Sequence, residues 1–594
     1  MVIRATSSQQ SSQQSSQQSS QQWDEALDKD DLDTHTIRHL SRKVQKGYDE
    51  QATRLVILEQ QVQQLQGQVQ EQRQRRRKKV PMSPNSRFAR IEQIQQALLS
   101  SSEAEDSPDE SSASEMPSEA ESCIWTCIRL ISRVVYNVYF HPLRHYPGPK
   151  AYAATRIPLT RMITSGKAHK KIAELHAQYG PVVRLGPDTI DWADPRAFKD
   201  LMGHNKGGGS GGGGGGENYR DPINAQYRPH SIINSNREDH ARIRRVLAHG
   251  FSAQSMVDQQ PLIQTQIDLL IQRLHENCED GGAPLNMVAW FYYTTFDIIG
   301  DLAFGEPFGC LEKSDYHPWV SSIFDNIHAS IYRNQFQRYS ITRPFARWLV
   351  PKKLRESQRF HNQLSMDKIR RRMALGESRP DFAMSTPEIE QTADLLIIAG
   401  SETTASVLSG VTFFLTTHPD AMAKLAEEVR TSFASEQEID VLSVQKLRYM
   451  LAVLDESMRV YPVVPIGLTR VVKPGGDYVC ERFVPEGTRV MVSQWPMYHN
   501  EEQFAQPGSF IPERWLGDPR FENDNRSVLQ PFSFGPRNCI GRNLAMSEMR
   551  VILARVIWNF DMQIADDSRK WTEQELFGLW KKGPLNVHLK AREK

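Results

Sequence analysis

Cysteine is scarce in this chain: there are six in 594 residues, at Cys123, Cys127, Cys278, Cys310, Cys480 and Cys539. So few over such a length do not suggest a disulfide framework. Cys123 and Cys127 are close enough to raise zinc, but no second Cys/His pair follows at finger spacing. Charge of one sign is missing as well. The 72 Lys+Arg against 71 Asp+Glu leave a formal net charge of +1, so no global field points to nucleic acid or to an acidic partner. The polar N-terminus carries no secretory signal. The run "CIWTCIRLISRVVYNVYF", Cys123 to Phe140, is barely long enough for a hydrocarbon core that needs about 20 residues, and it contains Arg129 and Arg133. An anchor remnant or an interfacial helix is expected over 123–140, closed by the proline-rich hinge "HPLRHYPGPK". The glycines from Gly207 to Gly216 satisfy G-x-G-x-x-G only trivially. Without a following Lys-Ser/Thr or a flanking strand and helix, they read as a loop and not as a phosphate cradle.

What is present falls into two parts. Residues 1–122 are a low-complexity extension. The repeat "SSQQSSQQSSQQSSQQ" has nothing to bury and predicts disorder. Leu55, Leu58, Val62, Leu65 and Val69 form a short coiled-coil seam within about 54–72, followed by the basic run Arg73–Lys79 and an acidic, Ser-rich tract over 101–122. A dimerising nucleic-acid-binding module is one reading of that order. Basic leucine zippers place the basic region before the zipper, however, and here it comes after. A short helix ending in a solvated charge run is the blander reading. The segment also resembles the tail of a fungal transposase, which leaves open a fusion of gene models. From 141 to 594 the chain reads as one globular unit. Helical patterns such as "MVDQQPLIQTQIDLLIQRLHE" and "TPEIEQTADLLIIAGSETTASVLSGVTFFLTT" alternate with short strand-like pieces, "PVVRLG" and "TRVMVS".

Three stretches carry chemistry. In "FSFGPRNCIGR", Gly535 and Gly541 permit close backbone approach around Cys539. A helix is expected to begin just after the cysteine, so the positive helix end and Arg537 would both favour thiolate over thiol. In "ESMR", Glu456 and Arg459 are spaced i, i+3 on one helix face and can pair, with "YPVVP" ending the helix. The helix from Thr386 to Thr417 would run roughly 45–50 Å. It carries Glu402, Thr403 and Thr404 in its apolar middle, either as back-bonded hydroxyls with a solvated glutamate or as groups kept for function.

The filled pattern F-x-x-G-x-R-x-C-x-G, carried by Phe532, Gly535, Arg537, Cys539 and Gly541, resembles the haem-binding loop of cytochromes P450, whose thiolate ligand promotes O–O cleavage. The resemblance covers about Phe140 to the C-terminus. It implies the mainly α P450 fold with small β-sheets, haem b as cofactor and Cys539 as axial ligand of the iron. It further implies that Arg514 of "FIPERW" completes a buried network with Glu456 and Arg459, costly to bury unless fully hydrogen-bonded. Ala399, Gly400, Glu402 and Thr403 match the oxygen-activation segment. There Gly400 would make room over the iron, while Thr403 and Glu402 help deliver protons to dioxygen. "REDHARIRR" resembles the helix that holds a haem propionate, with His240 where many relatives have Trp and Arg244 as the anion partner. Arg470 is placed like another propionate arginine, and Arg537 would join them. "FDIIGDLAFGEPFG" and "YFHPLRHYPGPK" look closest to filamentous-fungal P450s of secondary metabolism, including trichothecene hydroxylases.

The resemblance therefore implies haem-thiolate monooxygenation of a hydrophobic small molecule. Electrons would come from NADPH through a separate NADPH-cytochrome P450 reductase, since no flavin or nicotinamide domain is apparent. The implied location is the endoplasmic reticulum membrane with the catalytic domain facing the cytosol, and no nucleic-acid partner is expected for that domain. A haem-thiolate isomerase or dehydratase acting without a reductase is the rival within the fold, and the Glu402–Thr403 pair speaks against it. Substrate contacts are expected from the loops over 203–233 and 463–469, where the sequence gives only apolar character.

Overall fold

The computed structural model describes residues 119–203, 217–225, 230–339 and 386–593, with isolated positions between 352 and 370. The chain divides into a unit over 1–115 and a second over 116–594. The expected coiled-coil seam, basic run and glycine loop, and most of the acidic tract, lie outside the described residues, as does much of the 203–233 loop.

Helix α1, Glu119–Val135, continues through a π-helical turn, Tyr136–Phe140, and stops where His141 and Pro142 leave helical geometry. Apolar side chains along it face solvent: Trp125 is 62%, Ile131 64% and Phe140 63% exposed. Asn137 ties the segment down by donating to the Ala154 carbonyl at 2.9 Å. Among the described residues, the helix long and apolar enough to cross a bilayer is not α1 but a mostly buried core helix within Thr386–Thr417.

The body is helical. The helices that position the site are α2 Arg237–Ala248, α3 Ala253–Asn277, α4 Met287–Phe304, α5 Thr386–Thr417, α6 Pro419–Ser432, α7 Arg448–Val460 and α8 Arg542–Asn559. Helix α4 is apolar on nearly all sides and is buried accordingly. It lies along α5 in the most extensive helix contact among the described residues, and α8 packs on α3, α5 and α6. Within α4, buried Asp297 accepts from the backbone N–H groups of Phe308 (2.9 Å), Cys310 (3.2 Å) and Leu311 (2.9 Å), which folds "GEPFG" back onto its own helix. Gly300 allows that return: a Cβ there would lie 2.6 Å from the Phe308 ring.

The main sheet has the order β1 Val182–Gly186, β2 Thr189–Trp192, β5 Arg489–Val492, β4 Arg470–Val471 and β3 Tyr219–Arg220. Strands β2 and β5 are parallel and the other pairs antiparallel. The pairing of β3 with β4 sets Arg220 directly opposite Arg470. The architecture is mainly α with small sheets, as the sequence implies.

Candidate active site

The cysteine loop is built by backbone geometry. Gly535 has φ +76°, and a Cβ there would fall 1.8 Å from the Met202 carbonyl oxygen, so only glycine fits. A short turn over Gly535–Arg537 follows. The loop closes when the Cys539 N–H donates to the Phe532 carbonyl at 2.8 Å. Gly541 then leads into α8, and the Arg542 guanidinium lies 5.5 Å from the Phe532 ring centroid. Cys539 is a free, exposed cysteine. Burial pushes its thiol pKa up, while the Gly541 N–H and the cations Arg244 and Arg542 pull the other way. A bound metal ion would displace that proton outright.

The cations that act on the sulfur are Arg244 and Arg542. Arg244 of α2 stands beside the cysteine loop. It donates to the Asn538 carbonyl (2.7 Å) and to Asn538 Oδ1 (2.6 Å), bracing the cysteine loop from outside. Arg537 points away from the sulfur and meets Glu217 (2.5 Å) and the Ser235 carbonyl (3.0 Å). Arg244 thus lies against the cysteine loop, while Arg537 shares Glu217 with Arg470. Spacing along a turn does not say to which side each side chain leaves.

Around Glu217 a compact cationic cluster forms. Arg470 reaches its carboxylate at 3.0 Å, Arg537 shares the same oxygen, and Arg220 stands across the β3–β4 pair. Like charges opposite each other on a sheet destabilise it, and here two guanidinium groups bond one carboxylate with a third, Arg220, close by. Arg220 Nε, Arg470 Nε and Arg537 Nη1 are buried with no hydrogen-bond partner. His240, buried beside them, has its pKa lowered to about 4 by burial first and then by Arg537, so it stays neutral at physiological pH. Arg220 and Glu217 were not read from the sequence. Only strand register brings them here, and nothing local marked them.

On α5, Thr403 Oγ1 donates to the Ala399 carbonyl at 2.6 Å. A Cβ on Gly400 would sit 3.0 Å from Ile299 of α4. The close approach that Gly400 permits here is helix against helix. Glu402 is fully buried and paired with buried Lys582 from the C-terminal segment. Burial raises the Glu402 pKa and Lys582 opposes that. Two residues along, Thr404 bonds Glu548 of α8, a carboxyl that burial pushes up to about 8.

Glu456 centres a fully bonded network among the described residues. Its Oε1 accepts from Arg459 Nη2 (2.8 Å), Arg514 Nε (2.9 Å) and the Ile511 N–H (2.9 Å). Its Oε2 accepts from Arg459 Nε (2.8 Å) and Trp515 Nε1 (2.9 Å). Arg459 donates further to the carbonyls of Tyr498, Pro507 and Ser509, and Arg514 pairs with Asp524. All three members are 0% exposed. Every strong donor around Glu456 thus has an acceptor, the condition under which such burial is tolerable.

The cytochrome P450 family profile matches residues 147–589. The chain belongs to the cytochrome P450 family. Its relatives include trichothecene C-15 hydroxylase of Fusarium sporotrichioides, 44% identical over 478 residues, covering 78% of this chain and 96% of that protein. Cytochrome P450 monooxygenase astA of Talaromyces wortmannii is 44% identical over 470 residues, covering 77% and 94%. Averantin hydroxylase of Dothistroma septosporum is 41% identical over 492 residues, covering 79% and 90%. This P450 is a monooxygenase of the fungal secondary-metabolism type, and the family carries a haem-thiolate cofactor. The residues fit such a group. A free cysteine is exposed, and a short distance along the same loop Arg537 belongs to a buried surplus of guanidinium N–H donors suited to carboxylates.

Proposed function

We propose that Cys539 is the axial ligand of haem b and that Arg220, Arg470 and Arg537 bind the haem propionates, with neutral His240 able to add a hydrogen bond. The observation that carries this reading is Arg537, which joins the cysteine loop to the cationic cluster and so sets a thiol and an anion site in one short stretch. When bound, the haem supplies the redox chemistry that activates dioxygen. The protein's own work is to hold the thiolate, screen it with Arg244 and Arg542, exclude water with the α4–α5 pair, and pass protons by Thr403 and Glu402. For a substrate R–H the balance is R–H + O2 + NADPH + H+ → R–OH + H2O + NADP+.

The electrons come from NADPH through NADPH-cytochrome P450 reductase. A groove of ≈ 510 Å³ lined by Arg244, Arg245, Pro536 and Asn538 lies behind the cysteine loop and suits an acidic redox partner. Helix α1 lies in the membrane interface with Trp125, Ile131 and Phe140 toward lipid, which supports attachment to the endoplasmic reticulum with the catalytic domain in the cytosol. The substrate is a hydrophobic fungal secondary metabolite of the chemistry handled by the hydroxylase relatives. Deleting the gene and comparing metabolites with the parent strain tests this. An apolar precursor lighter by one oxygen is expected to accumulate. An isomer of the missing product would instead favour rearrangement.

A further inference from the structure

Lys582 is a buried cation that the mechanism above does not use. It follows the hairpin of Glu575–Phe577 and Leu579–Lys581, and it is 1% exposed, as is its partner Glu402. Its Nζ bonds Glu402 Oε1 and donates to Ser406 Oγ at 2.7 Å, and it lies 5.3 Å from the centroid of the Tyr292 ring. Ser406, one turn beyond Glu402 on α5, donates to the Glu402 carbonyl (2.7 Å) and reaches Oε1 at 3.4 Å. The segment that delivers Lys582 is itself pinned: Trp580 Nε1 donates to the Pro462 carbonyl at 2.8 Å, and its ring stacks on Tyr461 at 4.9 Å. Every polar contact of Glu402 therefore gathers on Oε1. Glu402 Oε2 is buried with no hydrogen-bond partner.

A buried ion pair of this kind contributes little net stability compared with apolar residues of similar volume. An apolar pair would pack the α5–hairpin contact as well. What the pair does provide is a cation held against one carboxylate oxygen, which opposes the upward push that burial gives the Glu402 pKa. The titratable groups facing Glu402 are Lys582 and Tyr461, with Tyr292 behind Lys582. Of these only Lys582 favours the carboxylate.

We infer that Lys582 is a positioning residue that clamps Glu402 through Oε1 and leaves Oε2 as the atom that takes up and hands on a proton. The inference rests on the reading of Glu402 as a proton-handling group. Removing the cation while keeping the length of the side chain, as in Lys582→Met, leaves a carboxyl that burial keeps protonated. A neutral carboxyl cannot accept the next proton.

The test uses the full-length haem protein with reductase and two readouts. Infrared difference spectroscopy looks for a protonated carboxyl C=O band. Beyond the band that protonated Glu548 gives in the parent protein, an added band is expected in Lys582→Met, shifted in D2O, and absent from Lys582→Met/Glu402→Gln. The second readout is hydrogen peroxide released per NADPH oxidised, with the apolar metabolite extract of the deletion strain as substrate source. That ratio is expected to rise toward one in Lys582→Met and in Glu402→Gln, to rise no further in the double variant, and to return near the parent value in Lys582→Arg. Should Lys582→Met fail to fold, Lys582→Gln replaces it. No added carboxyl band and no change in the ratio for Lys582→Met, with Glu402→Gln uncoupled, overturns the role of Lys582 alone. An unchanged ratio in Glu402→Gln overturns the reading of Glu402 and the clamp's purpose with it.

Discussion

Replacing Glu456 by alanine removes the acceptor of five hydrogen bonds at once, two of them from Arg459 and one from Arg514. Arg459 would remain at 0% exposure with its counter-charge gone, and Arg514, equally buried, would keep only Asp524. Breaking a buried pair by deleting one partner costs about 3–5 kcal/mol. Set against a total stability of about 5–15 kcal/mol, that is a large share, and it corresponds to a shift of roughly two to three and a half powers of ten in the unfolding equilibrium. Carbonyl acceptors at Tyr498, Pro507 and Ser509 keep Arg459 partly satisfied, which places the expected loss toward the lower end. Urea unfolding followed by tryptophan fluorescence suits the question, because Trp515 is a member of the network. Glu456→Gln, which keeps shape and one acceptor, should lose less. Because the residues share partners, adding Arg459→Met to Glu456→Ala should cost less than the sum of the two single changes. A loss below about 1 kcal/mol for Glu456→Ala, the size of one ordinary hydrogen bond, would refute the argument that the network is a single cooperative unit.

Thr403→Ala should uncouple NADPH oxidation from product formation. General acid assistance is worth roughly 10²–10⁴ in rate, so product should fall sharply while peroxide rises, and unchanged coupling would remove Thr403 from proton delivery. A chain beginning at Ser122 should retain its haem content and turnover, since residues 1–121 carry none of the site residues; loss of haem on truncation would contradict this. Arg220→Gln should speed haem transfer to an acceptor apoprotein by about 10–100-fold, the worth of a charge-assisted hydrogen bond of about 1.5–3 kcal/mol. An unchanged transfer rate would place Arg220 outside the propionate site.

Local chemistry was legible in the sequence and distant chemistry was not. Gly535 and Cys539 announce themselves because a tight loop needs glycine at a fixed offset from the group it frames. Glu456 and Arg459 do so because i, i+3 places them on one face. The long apolar patterns gave α3 and α5 close to their observed extents, even with Pro261 inside α3. "PVVRLG" and "TRVMVS" appear as β1 and β5. Periodicity does not fix which neighbour a helix face meets. Gly400 therefore turned out to admit Ile299, and Arg244 to brace Asn538. Arg220, Glu217 and Lys582 reach the site through strand register and a C-terminal hairpin, pairings that span 253 residues for Glu217 with Arg470 and 180 for Glu402 with Lys582. No short motif encodes contacts of that range.

The central claim is that Cys539 supplies the thiolate of a haem-thiolate centre. The reduced carbon monoxide difference spectrum of the purified protein and of Cys539→Ser measures it most directly. A thiolate-type Soret band is predicted for the parent protein. It should be absent from the serine variant, whose neutral hydroxyl cannot donate comparable electron density. A serine variant that kept that band and its activity would contradict the account.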